Sequence, residues 1–565
     1  MSSFPDANDV LRDAGADALR RQLDMNRRPY IGLQNGRSTA NSRTLPIIRR
    51  DAGQLSHIAT EAERHLIAAG VPFFQRAGKL VRPITCTVPA SNERKAKTAA
   101  LRNVTVGYMR DQMGQHVEWQ RYRRREQDWI PTDAPKDVAE IIVERAGDWK
   151  FPPVQGILTT PTLRPDGTIL AEGGYDPQTQ LLLIAPPILP PIPEYPSRSD
   201  GLKALSVLDD LLEEFPFVDE PSRSVALSAI ITPVVRPAFS NAPIHVAGAP
   251  TPATGKSFLM DVASAVAVGQ PCHVIAAGRD EAETEKRLVA CVLAGYPLVS
   301  VDNVNGELGG DFLCQLAERP LLSPRILGRS EQPIIPNRMT VFATGNNIRL
   351  KGDFVRRAVT CRLDAKAERP ELRRFKSNPV EKVLANRAHY VAAVLIVVRS
   401  YFAAGKPVKP PPFGSYTGWS ESVRGALLWL GRADPVDTLA AARSEDPELQ
   451  TLNAVLGAWA QAIGTGRGSA CTAAQALSRQ IDHLREAIEL TGACNKKSPT
   501  RALGNWLASV KGRIVDGRSF ARLSDNTHGH AALCSLSRSH ECDFGGFGGF
   551  VSTGWAGVVT LPFLA

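Results

Sequence analysis

Apolar residues follow two different spacings in the first third of the chain, and these spacings predict a mixed fold there. The segment QLSHIATEAERHLIAAG has helical spacing and is predicted to end as a helix at Gly70. The later segment TPTLRPDGTILAEGGYDPQTQLLLI predicts short strands, with turns at Pro-Asp-Gly and at Asp176-Pro177. We therefore predict an α+β N-terminal domain over residues 1–185.

Proline marks the divisions between the remaining blocks. The run LLLIAPPILPPIPEYPSRSDG cannot continue a helix or a central strand, and it predicts a stiff linker over residues 186–204. Residues 205–384 alternate apolar strands with helices, which is typical of an α/β domain. Residues 385–467 have mainly helical spacing, interrupted by the proline-rich segment GKPVKPPPFGSYTG.

Composition narrows the class of protein. The 565 residues are 43% hydrophobic and 22% charged, as is typical of a globular protein of several domains. The sequence predicts no membrane span and no signal peptide, and its nine cysteines form no C-x-x-C pair, so we expect a reduced, cytoplasmic setting in a bacterial cell. A formal net charge of +10 is compatible with a polyanionic partner.

The segment PIHVAGAPTPATGKSF has the layout of a phosphate-binding loop between a strand and a helix. Thr254, Gly255, Lys256 and Ser257 are the candidate nucleotide-binding residues, with Lys256 placed to reach the β- and γ-phosphates and the Ser257 hydroxyl to hold Mg²⁺. Pro250 stands where the usual pattern has its first glycine. Proline removes one amide there, and an already bent loop tolerates its fixed φ.

Three further polar groups follow at the ends of predicted strands. Asp302 ends YPLVSVDNV and is the second candidate Mg²⁺ ligand, while Asn346 ends RMTVFATGNN and is placed to position the attacking water. Arg356 and Arg357 follow in GDFVRRAVTCRLD as candidate arginine fingers. The gaps between these groups each accommodate one helix and one strand, so we expect an α/β nucleoside triphosphatase (NTPase) that binds ATP and Mg²⁺.

These motifs together resemble the superfamily 3 helicase branch of the AAA+ ATPases, and more closely the helicase half of phage and mobile-element primase-helicases. The resemblance rests on TPATGKS, LVSVDN, FATGNN and FVRRAVTCRLD and covers about residues 205–366. It implies a P-loop AAA+-like core, ATP-driven movement on single-stranded or forked DNA, and a homo-oligomer such as a hexameric ring, in which an arginine from the neighbouring subunit completes each site.

The resemblance also implies a DNA-facing hairpin, and one position departs from the family pattern. The segment LSPRILGRSEQPIIPNR would be that hairpin, with Arg325, Arg329 and Arg338 facing DNA; an ordinary basic hairpin is the alternative. Asn303 stands where an acidic residue usually accompanies the Mg²⁺ aspartate, and asparagine is a poor proton acceptor. Glu307 is the nearest downstream carboxylate, so slow hydrolysis or binding without hydrolysis stays open.

The C-terminal pattern predicts a winged-helix-like DNA-binding module over residues 468–523. Ser498 and Pro499 start a helix with an inner apolar stripe, which leaves Arg501, Asn505 and Lys511 outside for DNA; a purely structural helical cap is the alternative. Asp516-Gly517 predicts a hairpin turn. We expect residues 524–565 to be a disordered tail. Its zinc-type side chains have no spacing that matches a known module: His528, His530, Cys534, His540 and Cys542.

The sequence therefore predicts an ATP-dependent DNA helicase or translocase in the replication of a phage or integrated element. A DNA-binding initiation or regulatory protein, gated by ATP and without strand separation, is the alternative. A protein-remodelling AAA+ ATPase is a third possibility, in which a basic hairpin and a winged helix would be unexpected.

Overall fold

The computed structural model describes residues 45–89, 95–325, 332–466, 471–523 and 533–538. Contacts divide the chain into two compact units, Met1–Asp446 and Pro447–Ala565. The predicted helical region 385–467 is thus cut at Asp446. Its first helices share a hydrophobic core with the central sheet, while its last helix packs in the C-terminal unit.

The described residues between 45 and 144 of the N-terminal unit form small sheets and three helices, in line with the expected α+β pattern. The strands form the sheets β1-β5-β6 and β2-β3-β4, and Ile58, Leu66 and Met109 are among the residues buried between them and the helices. The elements are β1 (Ile47–Arg50), α1 (Leu55–Ala68), β2 (Phe74–Arg76), β3 (Lys79–Pro89), β4 (Lys95–Asn103), α2 (Val106–His116), β5 (Glu118–Arg123), β6 (Asp128–Thr132) and α3 (Lys136–Glu144).

Short strands connect this region to the central sheet. They are β7 (Gly156–Leu158), β8 (Thr162–Leu163), β9 (Ile169–Leu170), β10 (Gly174–Asp176) and β11 (Leu181–Leu183). The predicted linker 186–204 is shorter than expected, because helix α4 (Arg198–Asp209) begins inside it. Ser197 and Asp200 form a capping box, which satisfies backbone amides at the start of that helix.

The centre of the unit is a five-stranded parallel sheet with the order β13-β14-β17-β12-β18. Its inner strands are apolar over their first halves, as expected for strands covered on both faces. The elements are α5 (Glu220–Val235), β12 (Ile244–Ala249), α6 (Lys256–Val268), β13 (Val274–Ala276), α7 (Glu281–Ala294), β14 (Leu298–Leu308), α8 (Asp311–Glu318), β15 (Leu321–Leu322), β16 (Ile335–Pro336), β17 (Thr340–Leu350) and β18 (Ala358–Arg362).

The unit ends in helices that pack on this core. They are α9 (Pro379–Ala385), α10 (Arg387–Ala403), α11 (Thr417–Trp419), α12 (Gly425–Trp429) and α13 (Thr438–Ser444), with a π-helical turn, Ser420–Arg424, between α11 and α12. In the described residues no single helix is long and apolar enough to cross a membrane, although α9 and α10 together pass the same test with a 96° bend between them.

Arg387, the first residue of α10, closes the far end of helix α6. Its guanidinium donates to the carbonyl oxygens of Val266 at 3.1 Å and Ala267 at 3.0 Å. It also donates to the Thr159 carbonyl at 3.4 Å, and Thr160 donates its hydroxyl to the Ala267 carbonyl. A cation at a helix C-terminus satisfies free carbonyls and complements the helix dipole.

The C-terminal unit has three antiparallel strands in the order β19-β21-β20 and a buried core that includes Trp459, Leu503 and Phe520. Strand β21 lies in the segment predicted as a disordered tail, and buried Leu536 anchors it, so the folded module extends beyond residue 523. The elements are α14 (Pro447–Ala462), β19 (Cys471–Thr472), α15 (Ala473–Ser478), α16 (Asp482–Leu490), α17 (Pro499–Ser509), β20 (Arg518–Leu523) and β21 (Leu533–Arg538).

Candidate functional site

The candidate phosphate loop lies between the end of β12 and the start of α6. Gly255 has φ +100°, a left-handed conformation that glycine adopts without strain, and α6 begins at the next residue. Ala253, at φ +59°, is also left-handed. The predicted helix after GKS is confirmed, and it ends before Gly269 as expected.

Lys256 is held inside this loop. Only 8% of the residue is exposed, and its Nζ donates to the Thr251 carbonyl at 3.0 Å and the Thr254 hydroxyl at 3.1 Å. Burial lowers the pKa of the Lys256 amine, and the nearby Asp302 carboxylate opposes that shift. The amine is therefore directed into the turn, bonded to neutral oxygens that an anion can replace.

Asp302 collects hydrogen bonds from three elements. Its Oδ1 accepts from the Ser257 hydroxyl at 3.1 Å, from the backbone amide of Asn303 at 2.8 Å and from the Thr344 hydroxyl. The fold thus brings Ser257 and Asp302 together, as predicted. Sequence reasoning missed Thr344, which lies two residues before Asn346 in the quoted FATGNN segment.

A break in the strand pairing shapes the end of β14. The pairing between β14 and β17 shifts between Val301 and Val304, and Asn303 at the shift has φ +58° and an exposed side chain. A Cβ on Gly345 would lie 2.0 Å from the Val304 carbonyl oxygen, so β17 requires glycine there. Glu307 lies farther along β14 and pairs with Lys351 at 3.5 Å.

Asn346 lies on β17 opposite Ala249, the last residue of β12 before the loop. Its side-chain Oδ1 is buried and has no hydrogen-bond partner among the described residues. A buried acceptor without a partner carries a desolvation cost that a ligand or an ordered water removes. Asn346 therefore supplies a free acceptor at the edge of the sheet where the phosphate loop begins.

Arg356 and Arg357 lie in a 3-10 turn, Gly352–Arg357, and both contact acidic residues of their own chain. Arg357 is buried and forms ion pairs with Glu318 at 2.7 Å and with Asp353. Burial opposes the charge, but these carboxylates raise the pKa of Arg357. The Arg356 side chain is 49% exposed and pairs with Asp353 and, at 3.6 Å, with Glu318. Of the two candidate fingers, only Arg356 is open to solvent.

A cleft of about 580 Å³ borders the loop on the side of Gly255. Phe215 stacks on Phe258, with ring centroids 6.4 Å apart, and a Cβ on Gly255 would touch the Phe215 ring at 3.4 Å. Phe258 is 37% exposed and Phe375 56% exposed. Exposed aromatic rings beside a phosphate loop provide a stacking surface for a flat ring.

The three arginines of the predicted hairpin differ in their surroundings. Strands β15 and β16 pair antiparallel and form the base of a hairpin, with Arg325 exposed beside it. Arg329 lies outside the described residues. Arg338 is partly buried: its guanidinium donates to the Gln155 side chain at 3.2 Å and to the Phe239 carbonyl at 2.9 Å. It is therefore engaged with protein rather than offered to solvent.

The predicted DNA-binding residues Arg501 and Asn505 lie on the outer face of helix α17, whereas Lys511 follows the helix, which ends at Ser509. Arg501, Asn505 and Lys511 are exposed, while the stripe around Leu503 and Leu507 is buried. The expected side-chain cap at Ser498 is wrong, because that side chain makes no capping hydrogen bond. The turn at Asp516-Gly517 is present, closed by a bridge between Val515 and Arg518.

The candidate zinc ligands lie almost entirely outside the description. Only the backbone of Cys534 is described, in β21, and His528, His530, His540 and Cys542 lie outside the described residues. Across the segments that the structure does describe, no group of three or more His, Cys, Asp or Glu side chains is arranged to hold a metal ion.

Comparisons with known proteins add little to this geometry. No protein-family model matches the chain, and no curated protein matches it. Two apo A-form structures of the NrS-1 C-terminal region, one covering residues 305–718, match 84% of this chain and 98% of their own. Identities of 11% and 10% and TM-scores of 0.35 and 0.33 are too low to support a conclusion about fold or activity.

Proposed function

We propose that this protein is a nucleoside triphosphatase whose site is the loop around Lys256 and the carboxylate of Asp302. The observation that carries the proposal is the contact between the Ser257 hydroxyl and Asp302 Oδ1 at 3.1 Å, beside a lysine held within the loop. A hydroxyl and a carboxylate oxygen at this separation are the hard oxygen ligands that Mg²⁺ takes, together with water and phosphate oxygens.

Each residue of the site has a role that follows from its chemistry. Lys256 would exchange the Thr251 and Thr254 oxygens for phosphate oxygens and neutralise their charge. Bound Mg²⁺ would supply charge neutralisation at the β- and γ-phosphates. Asn346, with its unpartnered oxygen, would orient a water molecule. Asn303 is exposed and carries no carboxylate, so we expect slow hydrolysis.

ATP is the proposed nucleotide, with its base in the cleft beside Gly255. The base would lie against Phe215 and Phe258 while its phosphates reach Lys256. Stacking on an aromatic ring contributes about 1–3 kcal/mol per base in nucleic-acid complexes. Phe258→Ala should therefore raise the Michaelis constant for ATP more than it lowers turnover, whereas Phe402→Ala, away from the cleft, should not alter it.

DNA is the proposed macromolecular partner, and replication of a phage or integrated element is the proposed setting. Support comes from exposed Arg501 on helix α17, from exposed Lys511 just after it and from Arg325 beside the hairpin base, together with the motif resemblance described above. We propose that the chain acts as a helicase or translocase. The absence of a carboxylate at Asn303 favours a second candidate, an ATP-gated DNA-binding protein of replication initiation.

Two assays separate these candidates. ATP hydrolysis is measured with and without single-stranded DNA, and strand separation is measured on a forked duplex, with Lys256→Ala as the inactive control. Stimulated hydrolysis with unwinding supports the helicase. Nucleotide binding with DNA binding, but without unwinding, supports the initiation protein. Turnover in Lys256→Ala equal to that of wild type would show that the loop is not the phosphate site.

A shared site between subunits is the last part of the proposal, and Arg356 is its candidate finger. Lys256→Ala subunits are mixed with Arg356→Ala subunits, so that some interfaces combine an intact loop with an intact arginine. Partial recovery of ATPase activity is expected, since such fingers contribute on the order of 10³-fold or more. No recovery despite confirmed co-assembly, or full activity in a monomer, would contradict it.

A further inference from the structure

Two buried arginines and one partly buried arginine line a small cleft away from the candidate phosphate loop. Arg76 comes from β2, Arg236 follows α5, and Arg338 follows β16 at the foot of the hairpin. All three line the same cleft, which has a volume of about 40 Å³. We call it the arginine cleft.

Shared acceptors bring these guanidinium groups close together. The Phe239 carbonyl accepts from Arg236 at 2.8 Å and from Arg338 at 2.9 Å. Gln155 connects the other pair: its backbone carbonyl accepts from Arg76 at 2.7 Å, and its side-chain oxygen accepts from Arg338 at 3.2 Å. Three positive charges are thus joined through two neutral residues.

Among the described residues, no carboxylate neutralises these three charges. Within the described ranges, none of the three forms an ion pair, and no acidic residue lines the arginine cleft. Burial lowers the pKa of Arg236 to about 9, with repulsion from Arg338 adding to it, and burial lowers the pKa of Arg76 to about 10. The Nε of Arg236 is buried with no hydrogen-bond partner. Buried like charges of this kind are costly unless an opposite charge is present.

We propose that the arginine cleft binds a small oxyanion of the phosphate type. The ligand would accept hydrogen bonds from guanidinium N–H groups that have no acceptor among the described residues. Arg236 Nε is one such donor, and it is buried. A volume of about 40 Å³ accommodates roughly three to four waters or one such anion, since one water needs roughly 10–15 Å³ on the same measure. Free phosphate and a phosphate of the DNA backbone share this chemistry.

The position of the cleft gives the bound anion a structural consequence. Arg338 lies two residues after strand β16, at the hairpin base, and Arg236 is the residue after helix α5. Arg76 ends strand β2 in the small sheets, and Gln155 precedes strand β7. An anion would join these three parts through one charge. The proposal is independent of the nucleotide site.

The test uses the full chain carrying Lys256→Ala, which removes the other expected phosphate site. Inorganic phosphate is titrated by calorimetry at constant ionic strength, with chloride as the balancing anion, and the melting temperature is followed in parallel. We expect saturable binding and a rise in melting temperature. Adding Arg338→Gln should weaken the binding by about 10-fold or more, the usual loss for one charged hydrogen bond. Adding Arg164→Gln, whose arginine is paired with Asp176, should leave it unchanged.

Absence of phosphate binding to folded Lys256→Ala protein would overturn the proposal without any need for the second substitution. Equal binding in the Arg338→Gln and Arg164→Gln proteins would also overturn it, because the arginines would then serve only the carbonyls they contact. A single-stranded oligonucleotide distinguishes the two sources. A DNA-backbone ligand predicts that Arg338→Gln reduces the salt dependence of DNA affinity by about one phosphate contact. An unchanged salt dependence assigns the cleft to free phosphate.

Discussion

The candidate phosphate-loop site and helix α17 differ in what their polar side chains contact: other protein groups at the loop, and solvent on the helix. At the loop, Lys256 is buried and donates to nearby oxygens, while the exposed Ser257 donates to the partly buried Asp302, so we call this the inward site. On helix α17, Arg501 is exposed opposite a buried apolar stripe, and Lys511 is exposed just after the helix ends. The first arrangement holds its side chains in place before a ligand binds, so it can fix the position of that ligand. The second arrangement supplies positive charge at a surface without fixing the position of a bound partner.

The sharpest way to break the inward site is Lys256→Ala. Removing the only cation that the described loop directs into the turn should weaken nucleotide binding by at least about 100-fold, since charge-assisted contacts to phosphate are lost together. Binding is measured with a fluorescent ATP analogue. Lys286→Ala, an exposed lysine paired with Glu283, is the control and should bind as wild type. Tight binding by Lys256→Ala would place the phosphates elsewhere.

Asp302→Asn tests the charge of the inward site while keeping its shape. The amide oxygen can still accept from Ser257, but a neutral group holds Mg²⁺ poorly, so turnover should fall about 100-fold or more. Binding without Mg²⁺ should change little. Turnover is measured over a range of Mg²⁺ concentrations, with exposed Asp311→Asn as the control. A normal Mg²⁺ dependence in Asp302→Asn would remove this carboxylate from the metal site.

Helix α17 should show a smaller effect that depends on salt. Replacing both Arg501 and Lys511 with alanine should weaken DNA binding by about 10-fold at low salt and lower the slope of log affinity against log salt by roughly two contacts. Anisotropy with the full chain measures both quantities. Arg485→Ala, an exposed arginine paired with Glu489 on the preceding helix, is the control. Equal slopes in all three proteins would contradict a DNA-reading helix.

A fall in pH should destabilise the N-terminal unit more than the C-terminal unit, and this effect should be smaller than those above. His245 is fully buried in β12, where burial lowers its pKa to about 3. Below pH 6.5 the imidazole of His245 is protonated in the unfolded chain but stays neutral in the folded chain. The free energy of unfolding should therefore fall by up to about 1.4 kcal/mol per pH unit between pH 6.5 and 3.

His245→Gln should reduce this loss, measured as the change in melting temperature between pH 7 and pH 5. The matched control is His483→Gln, because His483 is exposed on helix α16 of the C-terminal unit. The same pH response in both variants would mean that His245 does not cause the acid sensitivity.

The sequence predicted the structure best where a polar side chain follows the end of an apolar strand. Periodicity and the GKS segment predicted the strand, loop and helix around Lys256, and the placement of Asp302 near Ser257 followed from parallel strand ends. Helix α17 was also predictable, because the stripe around Leu503 has a clear helical period. Strand β21 was missed because the glycine-rich residues after it made the whole segment look disordered.

The residues that pair with the arginines could not be predicted from the sequence. Nothing in FVRR shows that Arg357 is buried against Glu318, since that carboxylate lies on a helix 39 positions earlier in the chain. Likewise, Arg338 was expected to face DNA, yet its partners Gln155 and Phe239 are distant in sequence. Long-range pairing depends on how layers pack, and local patterns carry no record of it.

The hydrogen bonds at the far end of helix α6 fix that helix to the segment around Thr159. Arg387 donates to the last carbonyls of α6 and to the Thr159 carbonyl, so the helix that starts at Lys256 has a tethered C-terminal end. If nucleotide binds at Lys256 as proposed, a shift of the start of α6 would be passed through Arg387 to the segment around Thr159.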